Sequence, residues 1–211
     1  MTLSSWPHLF RPAPQPAAPT LLLLHGTGGN EHDLVNLADR VAPGSALLAP
    51  RGLVSENGAN RFFARLAEGR FDPAEVVARA AQLAAFIQEA LRHYDLSPAR
   101  HPIYALGFSN GANVAAALLQ LHPEIPLAGA VLLRPMVVLV QPAASGSLTG
   151  RRVLLLNGDH DPIVPLDHPP RLAALLRAGG AEVTATLLRT SHGLSAEDIT
   201  HATTFLQSPR P

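Results

Sequence analysis

The sequence predicts an α/β fold with a mostly parallel central sheet and helices on both faces. Three observations support this prediction. Short apolar runs alternate with helix-like segments along the 211-residue chain. The runs are apolar at consecutive positions, which is typical of strands buried on both faces. The segments between them are long enough for the crossover helices that parallel strands require.

The first half of the chain predicts two strands and two helices. Residues 20–26 form an apolar run that ends in glycine, and residues 45–50 form a second short apolar run. Residues 30–43 place apolar side chains at helical spacing and end at a proline. Residues 51–71 form a long connection, and such connections are often functional. Residues 72–95 open with Asp-Pro, an N-cap followed by proline, and continue as a long helix.

The middle of the chain predicts a strand, a sharp turn and a helix, followed by two more strands. The strand covers residues 102–108 and the alanine-rich helix covers residues 110–121. Residues 127–135 and 151–159 are the next apolar runs, each short and apolar on both faces.

The last third predicts two helices around one strand. Residues 169–180 form a helix closed by Gly-Gly, residues 181–190 a strand, and residues 195–207 a helix that starts with a variant of the capping box. Residues 134–150 leave no room for a helical cap. In such sheets ligands bind beyond the carboxyl ends of the strands, so the residues after each strand are the informative ones.

Length and composition indicate a single domain over residues 1–211. Residues 1–17 are predicted to be an extended, Pro-rich N-terminal lead-in. Hydrophobic residues make up 47% of the chain and charged residues 15%, as in a well-buried globular protein. There is no signal-peptide pattern, and the apolar runs are too short to span a membrane. We therefore expect a soluble, cytoplasmic protein with no membrane partner.

Charge and residue content exclude several classes of function. The formal net charge is zero, which argues against nucleic acid as a partner. All sixteen basic residues are Arg, so a Schiff base, a pyridoxal phosphate anchor and a P-loop lysine are excluded. Cysteine is also absent, which excludes thiolate nucleophiles, disulfides and zinc–thiolate sites.

The first strand is followed by the glycine-rich stretch HGTGG at residues 25–29. It matches neither phosphate-loop pattern, because it has no Gly-Lys-Ser/Thr and Glu31 stands where the dinucleotide pattern needs glycine. An oxyanion-binding loop with the Thr27 backbone N–H as donor fits better, and a simple tight turn is the alternative. His25 is interpreted as packing under this loop.

The strand over residues 102–108 runs into GFSNG at residues 107–111, a G-x-S-x-G pattern. A serine at such a strand-to-helix turn is pushed forward as a nucleophile, and the alternative is that Ser109 is only a helix N-cap. Gly107 and Gly111 would be small because strand and helix approach closely. The helix N-terminus would offer the Asn110 backbone N–H to an oxyanion.

Two later strands supply candidates for an acid and a base. Asp159 and Asp161 both follow the strand over residues 151–159, and we favour Asp161 because the following proline restricts its backbone. His192 follows the last strand and precedes a glycine. Serine acyl transfer needs an imidazole base and a carboxylate that orients it. The order Ser109, Asp161, His192 is that of α/β-hydrolases.

The sequence resembles the phospholipase/carboxylesterase family of α/β-hydrolases from about residue 18 to residue 207, and most closely its small, capless bacterial carboxylesterase branch. The segments that carry the resemblance are LLLLHGTGGNEHDL, RFFARLAEGRFD, LGFSNGANVAAALL, LLRPMVVL, NGDHDPIVP and SHGLS. The resemblance implies Ser109 as nucleophile, His192 as base and Asp161 as acid, with Thr27 and Asn110 N–H groups at the oxyanion. It also implies ester hydrolysis without cofactor or metal, and homodimers.

The resemblance also narrows the activity. Acyl-protein thioesterases and lysophospholipases of the wider family usually have Gly-Phe-Ser-Gln-Gly-Gly, whereas this chain has Gly-Phe-Ser-Asn-Gly-Ala. Dienelactone hydrolases, which are related, use a cysteine that this chain lacks. We therefore expect a serine carboxylesterase acting on a small-molecule ester. The alternatives are an acyl thioesterase or lysophospholipase, and a catalytically silent binder of small ligands.

The substrate pocket is predicted around the 51–71 connection. Phe62, Phe63 and Phe71 either form an apolar wall or anchor the connection on the core, and Met136 is a further pocket candidate. Arg61 and Arg65 of this connection either meet a substrate carboxylate or pair with Glu56 or Glu68.

Overall fold

The structure of the protein, a computed structural model, describes residues 3, 6–15 and 18–208. The strands are β1 (His8–Arg11), β2 (Thr20–Leu24), β3 (Ala46–Pro50), β4 (Val54–Glu56), β5 (Ala59–Arg61), β6 (Ile103–Phe108), β7 (Leu127–Leu133), β8 (Arg152–Gly158) and β9 (Glu182–Leu188). The helices are α1 (Val35–Val41), α2 (Pro73–His93), α3 (Asn110–Leu121), α4 (His168–Ala178) and α5 (Ala196–Gln207).

Seven strands form one central sheet in the order β1-β3-β2-β6-β7-β8-β9. All neighbouring pairs are parallel except β1 and β3, which are antiparallel. The mostly parallel sheet confirms the predicted fold class. Its carboxyl edge brings together the ends of β2, β6, β7, β8 and β9. The predicted site residues that follow these five strands are, in the same order, Thr27, Ser109, Met136, Asp161 and His192.

Strand β1 departs from the predicted extended lead-in over residues 1–17, of which residues 1–2, 4–5 and 16–17 lie outside the described part. His8–Arg11 pairs with β3 through the register His8↔Pro50 to Arg11↔Leu47. All four residues of β1 are half-buried. A short edge strand tolerates neighbouring prolines, because one side of it makes no sheet hydrogen bonds.

Helices cover both faces of the sheet. Helices α2, α3 and α4 contribute to one hydrophobic cluster, and α1 and α5 contribute to the other. Strand β2 serves both, with Leu22 and Leu24 in the first cluster and Leu21 and Leu23 in the second. The alternation follows from the two-residue period of a strand.

Helix α3 is buried from Asn110 to Gln120, between the sheet and α2. Its alanines explain this position, because small side chains allow the helix to approach the strands closely. Asn110 and Asn113 are the two buried amides of its first turn. The N-terminus of α3 is therefore held rigidly at the carboxyl edge of the sheet.

Among the residues that the structure describes, none forms a cap domain over this edge. Residues 134–150, which join β7 to β8 and are all described, contain no helix. Within the long 51–71 connection, β4 and β5 form a small antiparallel hairpin. Helix α1 is shorter than the predicted 30–43, because the residues before Val35 form turns in which the Asn30 side chain accepts the His32 N–H at 2.8 Å.

Candidate active site

Ser109 occupies a sharp turn between β6 and α3, with φ 52° and ψ −114°. A positive φ is strained in a residue other than glycine and costs on the order of 1–3 kcal/mol. The turn is held by the Ser109 N–H, which donates to the Leu133 carbonyl at 2.8 Å. The Ser109 side chain makes no capping hydrogen bond to α3, so the N-cap alternative does not describe its geometry.

The two glycines of the G-x-S-x-G pattern are required by close packing. A Cβ on Gly107 would lie 2.6 Å from the Gly111 carbonyl oxygen, and a Cβ on Gly111 would overlap the Leu24 carbonyl. Real Cβ contacts are not this short, so any larger residue would displace the helix from the strand. The glycines thus allow the turn that presents Ser109.

His192 links Ser109 to a buried carboxylate. Its Nε2 lies 3.0 Å from Ser109 Oγ, and its Nδ1 lies 2.8 Å from Asp161 Oδ2. A carboxylate can only accept here, so Nδ1 carries the proton and Nε2 is left to accept the Ser109 hydroxyl proton. The side chain of Asp161 is fully buried and that of His192 is 20% exposed.

The Asp161 carboxylate is oriented by its own turn. Its Oδ1 accepts the Ile163 N–H at 2.8 Å and the Val164 N–H at 3.2 Å, which leaves Oδ2 for His192. Asp159, the competing carboxylate, instead contacts His160 Nδ1 at 2.5 Å and accepts the Thr190 N–H at 3.2 Å. Of these two carboxylates, only Asp161 is hydrogen-bonded to His192.

Two backbone N–H groups face the site as oxyanion candidates. As the first residue of α3, Asn110 has an N–H that the intrahelical ladder does not use. The Thr27 N–H makes no hydrogen bond within the described residues. Both residues line the cavity that contains Ser109 and His192.

The 51–71 connection supports the loop that carries Thr27. The Gly28 N–H donates to the Asn60 carbonyl, and Asn60 Nδ2 donates to the Gly29 carbonyl, both at 2.9 Å. Arg61 Nη1 donates to Thr27 Oγ1 at 2.6 Å. The connection therefore positions the candidate oxyanion loop as well as lining the cavity.

His25 lies under this loop as a neutral imidazole. Its Nε2 accepts the Gly52 N–H at 2.9 Å, so Nδ1 carries the proton and donates to the Gly26 carbonyl at 2.7 Å. Burial lowers the pKa of His25 below its ordinary value, in keeping with this neutral form. The packing role expected for His25 agrees with these contacts.

The cavity over Ser109 and His192 has a volume of about 310 Å³. Phe71 and Met136 contribute to its wall, together with Phe108 and Ile163, which the sequence did not single out.

Phe62 and Phe63 do not line the cavity. They are 4% and 0% exposed and lie in the main hydrophobic cluster. Phe62 stands against His25 with ring centroids 4.8 Å apart, and its N–H donates to Asn110 Oδ1 at 2.7 Å. This placement matches the alternative in which they anchor the connection.

Two arginines of the connection, Arg61 and Arg65, also line the cavity. Both contact Glu56, Arg61 at 3.4 Å and Arg65 at 2.8 Å, as the glutamate-pairing alternative predicts. Burial lowers the pKa of the Arg61 guanidinium below its ordinary value, while the Glu56 charge acts in the opposite direction.

Sequence reasoning missed two polar side chains at this edge. Asn113, one turn along α3, lines the cavity, and its Oδ1 accepts the Met136 N–H at 2.7 Å. Its position three residues after Asn110, on the same face of the helix, is a signal that could have identified it. Arg134, directly after β7, is fully buried and contacts the loop of His192. For Arg134 the sequence gives no such signal, because an arginine after a strand is ordinarily a surface residue.

Comparison with known proteins identifies the family. Residues 11–209 match the model of the Phospholipase/Carboxylesterase family. The chain belongs to the phospholipase/carboxylesterase family. It is therefore a hydrolase with the α/β-hydrolase fold.

Individual relatives agree with this assignment. The protein MhqD of Bacillus subtilis (strain 168) is 40% identical over 182 residues, which cover 86% of this chain and 89% of MhqD. The solved carboxylesterase of Bacillus cereus is 39% identical with a TM-score of 0.89, and the match covers 96% of this chain and 94% of that one. A carboxylesterase from Mesorhizobium loti is 37% identical with a TM-score of 0.83, over 90% and 89% of the two chains.

Two further observations concern the described residues alone. None of their helices has both the length and the apolar character needed to cross a membrane. Nor do these residues bring three or more His, Cys, Asp or Glu side chains together as ligands for a metal ion.

Proposed function

We propose that this family member is a serine carboxylesterase that hydrolyses small carboxylic esters through an acyl-enzyme. The observation that carries the proposal is the continuous hydrogen-bonded chain from Ser109 Oγ through His192 to Asp161. The solved relatives from Bacillus cereus and Mesorhizobium loti, both named carboxylesterases, support the same chemistry.

In the first step, His192 Nε2 takes the hydroxyl proton as Ser109 Oγ attacks the ester carbonyl. The negative charge that develops on the carbonyl oxygen is stabilised by the N–H groups of Thr27 and Asn110. The resulting imidazolium is stabilised by the Asp161 carboxylate. His192 then gives the proton to the departing alcohol, which leaves an acyl group on Ser109.

In the second step, water replaces the alcohol. His192 Nε2 takes a proton from the water, which attacks the acyl carbonyl within the same pair of N–H donors. Collapse of the tetrahedral intermediate breaks the bond to Ser109 Oγ, and His192 returns the proton to the serine. The acid product is released, and neither a cofactor nor a metal takes part in this scheme.

The cavity supports a small substrate. Its volume of about 310 Å³ lies at the lower end of the range for small-ligand sites. Phe71 and Met136 offer apolar contacts, whereas Arg61, Arg65 and Asn113 give the cavity a polar side. A short acyl group with a compact leaving group suits this lining better than a long lipid chain.

We propose no nucleic-acid or membrane partner for this protein and a cytoplasmic location. We also propose a homodimer, which light scattering can test.

The experiment is a panel of p-nitrophenyl esters and matched thioesters of increasing acyl length, with Ser109→Ala as the variant. We expect the highest kcat/KM for short-chain esters and a loss of about 10⁶-fold in kcat in the variant. A fluorophosphonate probe should label the wild-type protein and leave Ser109→Ala unlabelled.

Three other outcomes would each contradict one part of the proposal. Turnover retained by Ser109→Ala would contradict the nucleophile. A preference for long-chain thioesters would favour the thioesterase alternative. A wild-type protein that is folded but takes up no probe would indicate a silent ligand binder.

A further inference from the structure

Arg134 is a fully buried charged residue that the proposed reaction does not use. It lies directly after β7, and its φ of 58° is in the left-handed region. Its backbone N–H donates to the Leu156 carbonyl at 2.7 Å. Burying a guanidinium away from solvent costs free energy unless its charge is paired and its N–H groups are all bonded. The partners of Arg134 therefore indicate its role.

All five N–H donors of the guanidinium are engaged. Nη1 and Nη2 form a bidentate pair with the two oxygens of Asp198, at 2.7 and 2.8 Å. The remaining donors reach three backbone carbonyls: Ser191 from Nε at 3.1 Å, Gly193 from Nη2 at 2.7 Å and Leu156 from Nη1 at 3.2 Å. Only the fork geometry of arginine can serve this set from one side chain.

Two of these carbonyls belong to the residues on either side of His192. Within the described part of the chain, the backbone of residues 191–194 makes no hydrogen bonds other than those two. The peptide that carries the imidazole is therefore held at both ends by a single guanidinium. Its nearest other backbone anchors are at Thr190, which bonds Asp159 and His160, and at Ser195.

Asp198 extends the same connection into α5. Its Oδ2 accepts the Ser195 N–H at 2.7 Å and the Ser195 hydroxyl at 2.9 Å in the capping box of that helix. Burial alone would raise the pKa of Asp198. Its hydrogen bonds to Arg134 and Ser195, with the guanidinium charge, instead bring that pKa below its ordinary value. Asp198 therefore stays ionised and fixes the far side of the loop.

We infer that Arg134, anchored by Asp198, is a positioning residue that holds the His192 loop so that the imidazole spans Ser109 and Asp161. The inference rests on the proposed function, because it assigns His192 the role of base. The Arg134 guanidinium is hydrogen-bonded to neither Ser109 nor the His192 ring, so it acts through the two flanking carbonyls. Displacements of about 1 Å at a catalytic group can cost about 100-fold in rate.

The test compares Arg134→Lys with Arg151→Lys. Arg151 makes a similar clamp, since its Nη1 and Nη2 donate to the carbonyls of Ile125 and Pro123, but it lies at the opposite end of β8 from the site. Lysine keeps the positive charge in both variants and loses the fork. Thermal unfolding and circular dichroism of both variants measure the purely structural cost.

For Arg134→Lys we expect kcat on a short-chain ester to fall by about 10–100-fold, with KM within about twofold of the wild type. Labelling of Ser109 by the fluorophosphonate should slow in parallel, because it needs the same base. The low-field proton resonance of His192 Nδ1, assigned with a His192→Gln control, should shift or broaden. Arg151→Lys should keep the wild-type kcat, labelling rate and resonance.

The inference is overturned if Arg134→Lys folds and keeps the wild-type kcat and His192 resonance, or if its loss of activity only follows its loss of thermal stability. Should Arg134→Lys not fold, Asp198→Asn carries the test, since it removes the charge but keeps one oxygen toward Arg134. A kcat in Asp198→Asn equal to that of the wild type would equally overturn it. A wild-type protein that takes up no probe is a failure of the proposed function and not of this inference.

Discussion

The choice of acid can be tested by changing one carboxylate into its amide. Asp161 Oδ1 accepts the N–H groups of Ile163 and Val164 at 2.8 and 3.2 Å. In Asp161→Asn the amide oxygen is expected to take this place, because the NH₂ group cannot accept these hydrogen bonds. The NH₂ group then occupies the place of Oδ2, 2.8 Å from His192 Nδ1. Since NH₂ can only donate, Nδ1 must become the acceptor.

This reversal moves the ring proton to Nε2, the nitrogen that lies 3.0 Å from Ser109 Oγ. A protonated Nε2 cannot take the serine proton. In a serine protease the same exchange lowers kcat by about 10⁴-fold, which corresponds to about 5.4 kcal/mol at 1.36 kcal/mol for each factor of ten. We therefore expect Asp161→Asn to lose about 10⁴-fold in kcat with little change in unfolding temperature.

The assay is steady-state hydrolysis of a short-chain p-nitrophenyl ester, with Asp159→Asn as the matched control. Asp159 is 29% exposed in its side chain and bonds His160 and the Thr190 N–H. We expect its amide variant to stay within a few-fold of the wild type. The reasoning is refuted if Asp159→Asn is the more damaging change, or if Asp161→Asn retains more than a tenth of the wild-type kcat.

Two further predictions concern packing and pH. In Gly158→Ala, the new Cβ would overlap the Thr190 carbonyl oxygen and lie 2.5 Å from the Ser191 carbonyl oxygen. We therefore expect an unfolding free energy, measured by chemical denaturation, that is lower by about 1–3 kcal/mol than in the wild type. We also expect a reduced kcat. Gly193→Ala, whose Cβ would meet open space in the same loop, should keep its stability, and equal losses in both variants would contradict this account. The Arg51 guanidinium, hydrogen-bonded to Glu31 at 2.6 Å, lowers the pKa of that carboxyl from 4.5 to about 2. Because this folded-state pKa is depressed, the stabilisation is present above about pH 4.5 and is lost as pH falls toward 2. Glu31→Gln should therefore have a lower unfolding free energy than the wild type at pH 7, and this difference should shrink in acid. A difference in unfolding free energy that is the same at pH 7 and pH 2.5 would argue against the ion pair.

The fold class and the candidate site residues could be predicted because the relevant signals are local. A continuous apolar run predicts strand β2, and the glycines around Ser109 predict the turn into helix α3. The parallel arrangement then brings residues after different strands to one edge, which is why Asp161 and His192 could be proposed from their positions alone.

Strand β1 and the roles of Phe62 and Phe63 depend instead on contacts between distant parts of the chain. Four half-buried residues among prolines give no clear pattern until β3 is beside them. An aromatic pair in a connection serves equally well as a pocket wall or as an anchor. Contacts with His25 and with the Asn110 side chain, far away in sequence, determine that Phe62 is buried.

Arg134 could not have been assigned from sequence for a related reason, since its partners come from three separate segments of the chain. In isolation, an arginine after a strand is a normal surface residue. Its burial becomes understandable only when Leu156, the His192 loop and Asp198 meet around it.

The hydrogen bonding of the sheet explains why these parts meet with a defined geometry. The first residue after each of three strands continues the parallel ladder by one step: Ser109 donates to the carbonyl of Leu133, Arg134 to that of Leu156, and Asp159 to that of Leu188. The turn that carries each group therefore inherits the register of the strand before it. Ser109 and Arg134 occupy equivalent places on adjacent strands, and both have a positive φ. The hydrogen bond of each backbone N–H to the neighbouring strand helps to hold the two residues in this strained conformation. Both side chains meet the His192 loop: Ser109 Oγ bonds the ring nitrogen, and the Arg134 guanidinium bonds the two flanking carbonyls. The nucleophile and the residue that holds the His192 loop are thus placed by neighbouring strands of one sheet, so the register of β6 and β7 helps to set the separation of Ser109 and His192.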